Sequence, residues 1–547
     1  MALRAENTDA TLRGSMRCFP CSLSALALSL ACCSALAQAP PPSARQSANM
    51  ATAAQTILSA QPASAQAHWG ISMVDAATGQ TLYALNDGQL FEPASNAKLF
   101  TTSTALALLG PGYTTATQVL AEGHIDATGT LHGDLRLVGG GDPTISGRGY
   151  PYAGKTVRSD TPLAGIDALA QQVVAHGIHR IDGAAGGAVI GDDTLFPDER
   201  YGRGWAWDDL QWEYGAPVTA LTVNDNVRFL TVTPGLRPGD PVTTSWMPDL
   251  PGAPSGLLVT ATTTAQGAKP ALGVDRLPES PTLRVFGSLP ANGAPVQIAL
   301  AMSDPAAFAA QALLAALKAD GVEVTGGVTV AHRPTQDTES FTEETHAPLV
   351  LHPLPAGSSS LSGEPQAQKL VASRQSVPLS QIVTVTLKVS QNLHAEMLLR
   401  LLGRAEADDG SPEQGARVVR SFMTTEAGVL PEDFLLYDGS GLSSDDLLTP
   451  RSLTTLLRWS TTQPWGSVLR SALPISGTDG SLADRLETLR GRVQAKTGTL
   501  GEVHALSGFL IANSGRTVIF SILCNDRPGT GGTTVMDSLL LQAAQTF

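Results

Sequence analysis

The chain has 547 residues, too long for one ordinary domain and long enough for about two to four. With 42% hydrophobic and 15% charged residues it can bury cores, which excludes a disordered polymer. A net charge of −14 argues against nucleic acid as the main partner, because phosphate recognition draws on clustered Lys and Arg.

The first residues read as an export signal. Arg13 and Arg17 precede the apolar run LSALALSLACCSAL (23–36), which is too short to span a bilayer. Ser34-Ala35-Leu36-Ala37-Gln38 offers a small-residue cleavage site after Ala37, and Met16 is an alternative start. Residues 1–37 are therefore expected to be a signal peptide. The mature protein is expected to be exported and periplasmic (extracytoplasmic), soluble or loosely membrane-associated, with no transmembrane anchor. Cys18, Cys21, Cys32 and Cys33 fall in that segment, and neither Cys32 nor Cys33 has a clean lipoprotein context. Only Cys524 remains, so no internal disulfide is expected, and Cys524 reads as a small buried hydrophobe. Residues 38–66, rich in Ala, Pro, Gln and Ser, read as a tether.

Residues 67–118 begin the ordered part. WGISMVDAATGQTLYALN gives two short strands around the Ala77-Thr78-Gly79 turn, and Asn96 to Leu109 gives a helix stopped by Gly110-Pro111. The texture then becomes β-rich, broken by helical stretches at Leu163 to His176 and Pro305 to Asp320. Residues 119–142 and 214–350 read as an inserted β-rich domain, 143–213 as a second insertion nested within it, and 351–369 as a linker. From 370 to 547 the pattern is α/β again. Ser390 to Leu402 and Arg451 to Trp459 have helical spacing. Val493 to Lys496, Ala505 to Ile511 and Val518 to Leu523 read as strands, and Thr534 to Thr546 as a closing helix. Residues 67–118 and 370–547 are thus expected to build one domain, with the middle inserted as an excursion.

Three short motifs carry chemistry. Ser95-Asn96-Ala97-Lys98 places a serine and a lysine on one helical face, and the chain has only seven lysines. A serine needs a partner to take its proton, and a lysine serves only if burial or a nearby cation lowers its proton affinity. Alone, the pair reads first as a helix cap and a solvated charge. Ser390-Gln391-Asn392 opens a helical stretch and is weak alone, since Ser47-Ala48-Asn49 matches it in the expected tether. Lys496-Thr497-Gly498-Thr499 lies on the first C-terminal strand and reads alone as a strand end with a glycine turn.

Together, in this order and on these elements, the three resemble the Ser-x-x-Lys, Ser-x-Asn and Lys-Thr-Gly set of penicillin-binding proteins and serine β-lactamases. Longer stretches are similar to the S13 peptidases: LVGGGDPTI (137–145), GWAWDDLQWEYGAPVTALTVNDN (204–226), SVPLSQIV (376–383), YDGSGLSSDDLLTP (437–450) and LPISGTDGSLADRL (473–486). These are the low-molecular-mass class C penicillin-binding proteins, D-alanyl-D-alanine carboxypeptidase/endopeptidases of the penicillin-binding protein 4 type. The resemblance runs from about residue 68 to the end, with an insertion that looks longer than usual around 351–369.

It implies a multidomain α/β protein with a transpeptidase-like serine β-lactamase/DD-peptidase domain. It implies that Ser95 is acylated, that Lys98 activates it, and that Ser390 relays a proton to the leaving amine. Asn392 would hold the substrate amide and Lys98. Lys496 and Thr497 would bind the terminal carboxylate of a peptidoglycan stem, with Lys496 helping to keep Lys98 neutral. Gly498 would leave room for substrate backbone, and the N–H groups of Ser95 and Thr499 would form an oxyanion hole. Asp208, Asp209 and Tyr214 are specificity candidates for the third stem residue. The implied partners are peptidoglycan stem peptides, with β-lactams as inhibitors.

No metal site and no cofactor are expected. The ten His show no metal-ligand spacing, and Gly139-Gly140-Gly141 matches no phosphate loop. Two rival readings stand: a serine β-lactamase or esterase, and a non-catalytic peptidoglycan-binding scaffold. The first lacks a deacylation device, because no Asn lies between Asn392 and Lys496. The second would be expected to show a broken motif, and none is broken.

Overall fold

A computed structural model of the chain describes residues 44–547, apart from 184–186, 251–255, 278–279, 281, 336–339, 356–357, 359–368 and 530. The expected signal peptide, residues 38–43 of the expected tether and most of the expected linker lie outside the described residues. Among the described residues no helix is long and apolar enough to cross a membrane.

The two ends of the chain meet in a five-stranded antiparallel sheet. Its order is Val493–Leu500, Val503–Ile511, Thr517–Asn525, His68–Asp75, Thr81–Leu85. Strand alternation sorts its side chains onto two cores. Val518, Phe520, Ile522, Leu506, Leu510, Val493 and Ala495 face a helix pair from the two chain ends, Ala44–Ser59 and Gly532–Thr546. Ile519, Leu523, Ala505 and Phe509 face the helices Lys98–Leu108, Leu379–Lys388, Asn392–Glu406, Pro412–Thr425 and Pro450–Ser460. By the same parity, Lys496 and Gly498 point toward this second layer.

The described part of the expected tether is instead helical over Ala44–Ser59 and Pro62–Gln66. Ala44–Ser59 buries Met50, Ala54 and Leu58, spaced four apart, on the same core as Met536 and Leu540. The composition is low in complexity, but its alanines favour helix and the apolar residues form one stripe.

The middle of the chain forms a seven-stranded sheet. It takes Ala116–Ile125, Thr130–Val138, Arg180–Asp182, Val189–Pro197, Glu323–Val324, Val328–Arg333 and Lys369–Gln375. The strands of entry and exit, Ala116–Ile125 and Lys369–Gln375, pair with each other, so the expected boundaries at 118 and 370 fall at or within strands. The helices Ala164–Ala175 and Pro305–Ala319 share the core of this sheet. Residues 143–213 are therefore not a nested unit: their strands pair with Thr130–Val138. The segment with sheets of its own is 227–301, built around Leu230, Val232, Val285 and Leu289. Short strands show no pairing partner in sequence, which is why the nesting is inverted relative to expectation.

Candidate active site

Ser95 sits in a single 3₁₀ turn, Ala94–Ala97, that runs straight into the helix Lys98–Leu108. The turn is held from below by Gly441. That residue has φ +75°, and a Cβ there would lie 1.9 Å from the Ala94 carbonyl oxygen, so only glycine fits. Lys98 follows one helical turn after Ser95 and is fully buried. Its Nζ donates to Ser95 Oγ at 2.9 Å, to Asn392 Oδ1 at 2.6 Å and to the Ser440 carbonyl at 2.6 Å. In its ammonium form, the three donors of Nζ thus meet three acceptors. Burial lowers the Lys98 pKa to about 8, and the buried acids Asp438, Glu396 and Asp446 oppose that fall. The leading cause is thus burial, one of the two routes the sequence left open.

Ser390 lies just outside the helix Asn392–Glu406, with φ +58°. A non-glycine residue in that region is strained by about 1 kcal/mol. The reversal lets Ser390 face Lys496 while Asn392, two residues on, faces Lys98. Lys496 Nζ donates to Ser390 Oγ at 2.8 Å and to the Thr497 carbonyl at 2.5 Å. Lys496 is also fully buried, and its proton affinity is pushed well down by burial and then by the nearby Lys98. Two lysines therefore share one dry site, each on a serine hydroxyl.

The strand Val493–Leu500 is an edge of its sheet. Its first half is covered: the Ser476 amide donates to the Val493 carbonyl at 3.0 Å, and the Ala495 amide donates to the Pro474 carbonyl at 3.0 Å. Odd-numbered residues therefore turn their backbone groups to the edge, and beyond Ala495 the next are Thr497 and Thr499. An open stretch of edge thus runs past Ser95. The Thr497 hydroxyl is 2.6 Å from Ser481 Oγ. Gly498 departs from expectation. A Cβ there would meet Ala505 Cβ at 3.0 Å, Asn96 Nδ2 at 3.0 Å and Ala94 Cβ at 3.1 Å. The glycine makes room for the turn bearing Ser95, because even-numbered residues of this strand face the helical layer.

The three specificity candidates separate. Tyr214 reaches the site through its backbone, its carbonyl accepting from Asn392 Nδ2 at 2.9 Å, while its hydroxyl donates to Asp209 at 2.9 Å. Asp208 is exposed. A cavity of about 380 Å³ opens beside Ser390 and Asn392, walled by Tyr214, Glu213, Arg148 and Arg158, and neither Asp208 nor Asp209 lines it.

Sequence reading misses several groups. Arg148 and Arg158 come from a hairpin of the inserted sheet region, where the Gly149 amide donates to the Val157 carbonyl at 2.9 Å. Tyr152 of that hairpin accepts from the Gly480 amide at 3.1 Å. The Ser440 carbonyl and Ser481 lie in the two stretches YDGSGLSSDDLLTP and LPISGTDGSLADRL, whose residue types alone announce no chemistry.

The fold is that of penicillin-binding protein 4 from Haemophilus influenzae. That crystal structure matches with a TM-score of 0.72 at 22% identity, over 90% of this chain and 98% of that one. A second structure of the same protein, in complex with a β-lactam, matches with a TM-score of 0.67 at 21% identity. A D-alanyl-D-alanine carboxypeptidase from Actinomadura sp. (strain R39) is 33% identical over 492 residues, covering 87% of this chain and 81% of that protein. The D-alanyl-D-alanine carboxypeptidase DacB of Haemophilus influenzae is 24% identical, over 81% of this chain and 82% of that protein. The family model described as D-Ala-D-Ala carboxypeptidase 3 (S13) matches residues 51–352 and 356–545, and the chain belongs to that family.

Proposed function

We propose that this chain is a serine D-Ala-D-Ala carboxypeptidase, and also a DD-endopeptidase, that cleaves peptidoglycan stem peptides outside the cytoplasm through an acyl-enzyme on Ser95. The observation that carries the reading is the pair of buried lysines, each bound to a serine hydroxyl: Lys98 to Ser95 and Lys496 to Ser390.

The stem's last residues lie along the open edge at Thr497 and Thr499, as an added strand. Their terminal carboxylate meets Lys496 and the Thr497 hydroxyl. An anion arriving there favours the charged form of Lys496, so that lysine takes up a proton on binding. Neutral Lys98 takes the proton of Ser95 Oγ, which attacks the D-Ala carbonyl. The backbone N–H groups of Ser95 and Thr499 hold the oxyanion. Ser390 passes its hydroxyl proton to the departing amine as it takes one from the charged Lys496, and the bond to the last D-Ala breaks. Water then releases the acyl group. Asn392 keeps the acyl-side amide and Lys98 in register, and Tyr214, the one of the three specificity candidates that lines the cavity beside Ser390, borders the path of the third stem residue. β-Lactams react as mimics and stay bound, since the described site offers no second base like that of a penicillin hydrolase.

The test is product mass. Incubation with a pentapeptide stem should release D-Ala, and a cross-linked dimer should yield two monomers. Release of neither, with both substrates intact, contradicts the proposal.

A further inference from the structure

Behind Lys98 lies a cluster of three fully buried carboxyl groups, Glu396, Asp438 and Asp446, that the mechanism above leaves unused. Three adjacent buried acids cannot all be charged, because each anion repels the next in a dry site. Hydrogen bonding says which one is. Asp438 Oδ1 accepts from the Ser440 and Gly441 amides at 2.9 and 2.6 Å. Its Oδ2 accepts from the Leu442 and Ser443 amides at 3.0 and 2.8 Å, and from Trp205 Nε1 at 2.8 Å. So many donors on one carboxyl favour its anion.

Asp446 is different. Its Oδ1 accepts from the Tyr437 amide at 2.6 Å, but its buried Oδ2 meets no donor among the described residues. That oxygen is the place for a proton, and Asp438 is the neighbour that accepts it. Burial and the Asp438 charge push Asp446 well above the carboxylate range. Glu396 Oε1 accepts from the Gly439 amide at 3.0 Å, and burial followed by Asp438 raises Glu396 to about 8. Arg400 touches this charge pattern from the far side of Glu396, and Lys496 faces Lys98 from the strand.

We propose that Asp438 is a positioning residue for Lys98: as the acid of the cluster with the most N–H donors, it fixes the Ser440 carbonyl against Nζ and sets how readily the base gives up its proton. The loop that closes around Asp438 is also the loop whose carbonyl Lys98 binds. Trp205, from the inserted region, ties that region to the same carboxylate. Burial alone would drive the lysine toward permanent neutrality, where it would be too weak a base; one fixed anion holds it near the working range. The inference rests on Lys98 being the base for Ser95.

The experiment is the second-order rate of acylation of the full chain by a chromogenic cephalosporin, followed against pH. The parent should show an acid limb where Lys98 loses its proton. Asp438→Asn should move that limb down by about one pH unit or more. Asp446→Asn mimics the protonated acid and should leave the limb in place, whereas Glu396 titrates in the same range as Lys98, so Glu396→Gln should move the limb less than Asp438→Asn does. A lower rate for Asp438→Asn at every pH, with the limb unmoved, would mean a purely structural role and overturns the proposal. So does a limb that moves in Asp446→Asn or Glu396→Gln as far as in Asp438→Asn. If Asp438→Asn does not fold, Asp446→Asn decides alone: its amide can donate to Asp438 where the acid did, so an unmoved limb supports the assignment and a moved one refutes it. A parent without any acid limb would count against Lys98 as base rather than against Asp438 specifically.

Discussion

Lys98 is where the chemistry of the molecule concentrates. Its Nζ is out of solvent and held by Ser95, Asn392 and Ser440. With its pKa lowered to about 8, the neutral fraction grows as pH rises toward 8 and saturates above it. Acylation by a β-lactam should therefore climb with pH through that range and then level. A rate that falls over the same range would refute a neutral lysine base. Lys98→Ala should slow acylation by about 10²–10⁴-fold, the usual worth of a positioned base, in stopped-flow measurement. Cys524 marks the opposite case. It is buried, and burial pushes its thiol up to about 12, so it should resist alkylation in the native protein and react once the chain is unfolded. At this scale the sequence is legible where a motif is local. Ser95 and Lys98 are one helical turn apart, and Ser390 and Asn392 two residues apart. The Ser440 carbonyl and the cluster behind it are not legible, because a backbone oxygen has no residue signature and a buried acid looks like any other acid.

The elements show what the motifs need around them. The Ser95 turn rests on Gly441, whose missing Cβ leaves room for the Ala94 carbonyl. Gly441→Ala should cost about 3 kcal/mol or more, through positive φ together with the clash, and should lower β-lactam labelling along with stability. A chemical denaturation curve that matches the parent would refute that packing. On the opposite face of the sheet, Met50 is fully buried against the closing helix. Met50→Ala should cost about 2–5 kcal/mol in denaturant unfolding while leaving acylation chemistry intact. Most helices and strands of the two chain ends can be read from periodicity: the pattern places Ala505 to Ile511 and Val518 to Leu523 within a residue or two of the observed strands. The N-terminal helix escapes because Ala, Gln and Ser suit a loose tail as well as a helix, and only its partner on the far end of the chain decides between them.

For the whole molecule, the excursion between the two halves of the catalytic domain is part of the site. Trp205 donates to Asp438, the Tyr214 carbonyl receives Asn392, and Tyr152 receives the Gly480 amide. Trp205→Phe, which removes the indole N–H with the smaller ring and keeps an aromatic side chain, should weaken acylation several-fold without unfolding the protein, as read by labelling kinetics beside a thermal melt. The sequence makes the insertion visible as a change of texture, yet inverts its nesting. Pairings such as Thr130–Val138 with Val189–Pro197, or Val328–Arg333 with Val189–Pro197, join strands far apart in the chain, and no local pattern encodes them. Family resemblance supplies the roles of the three motifs; the geometry adds that both lysines are dry and that each has its own serine. The central claim is that Ser95 is the nucleophile. The direct measurement is peptide mapping by mass after reaction with benzylpenicillin. A single acyl adduct on Ser95, absent from Ser95→Ala, is the predicted result; an adduct on Ser390 or elsewhere, or one that persists in Ser95→Ala, would contradict the account.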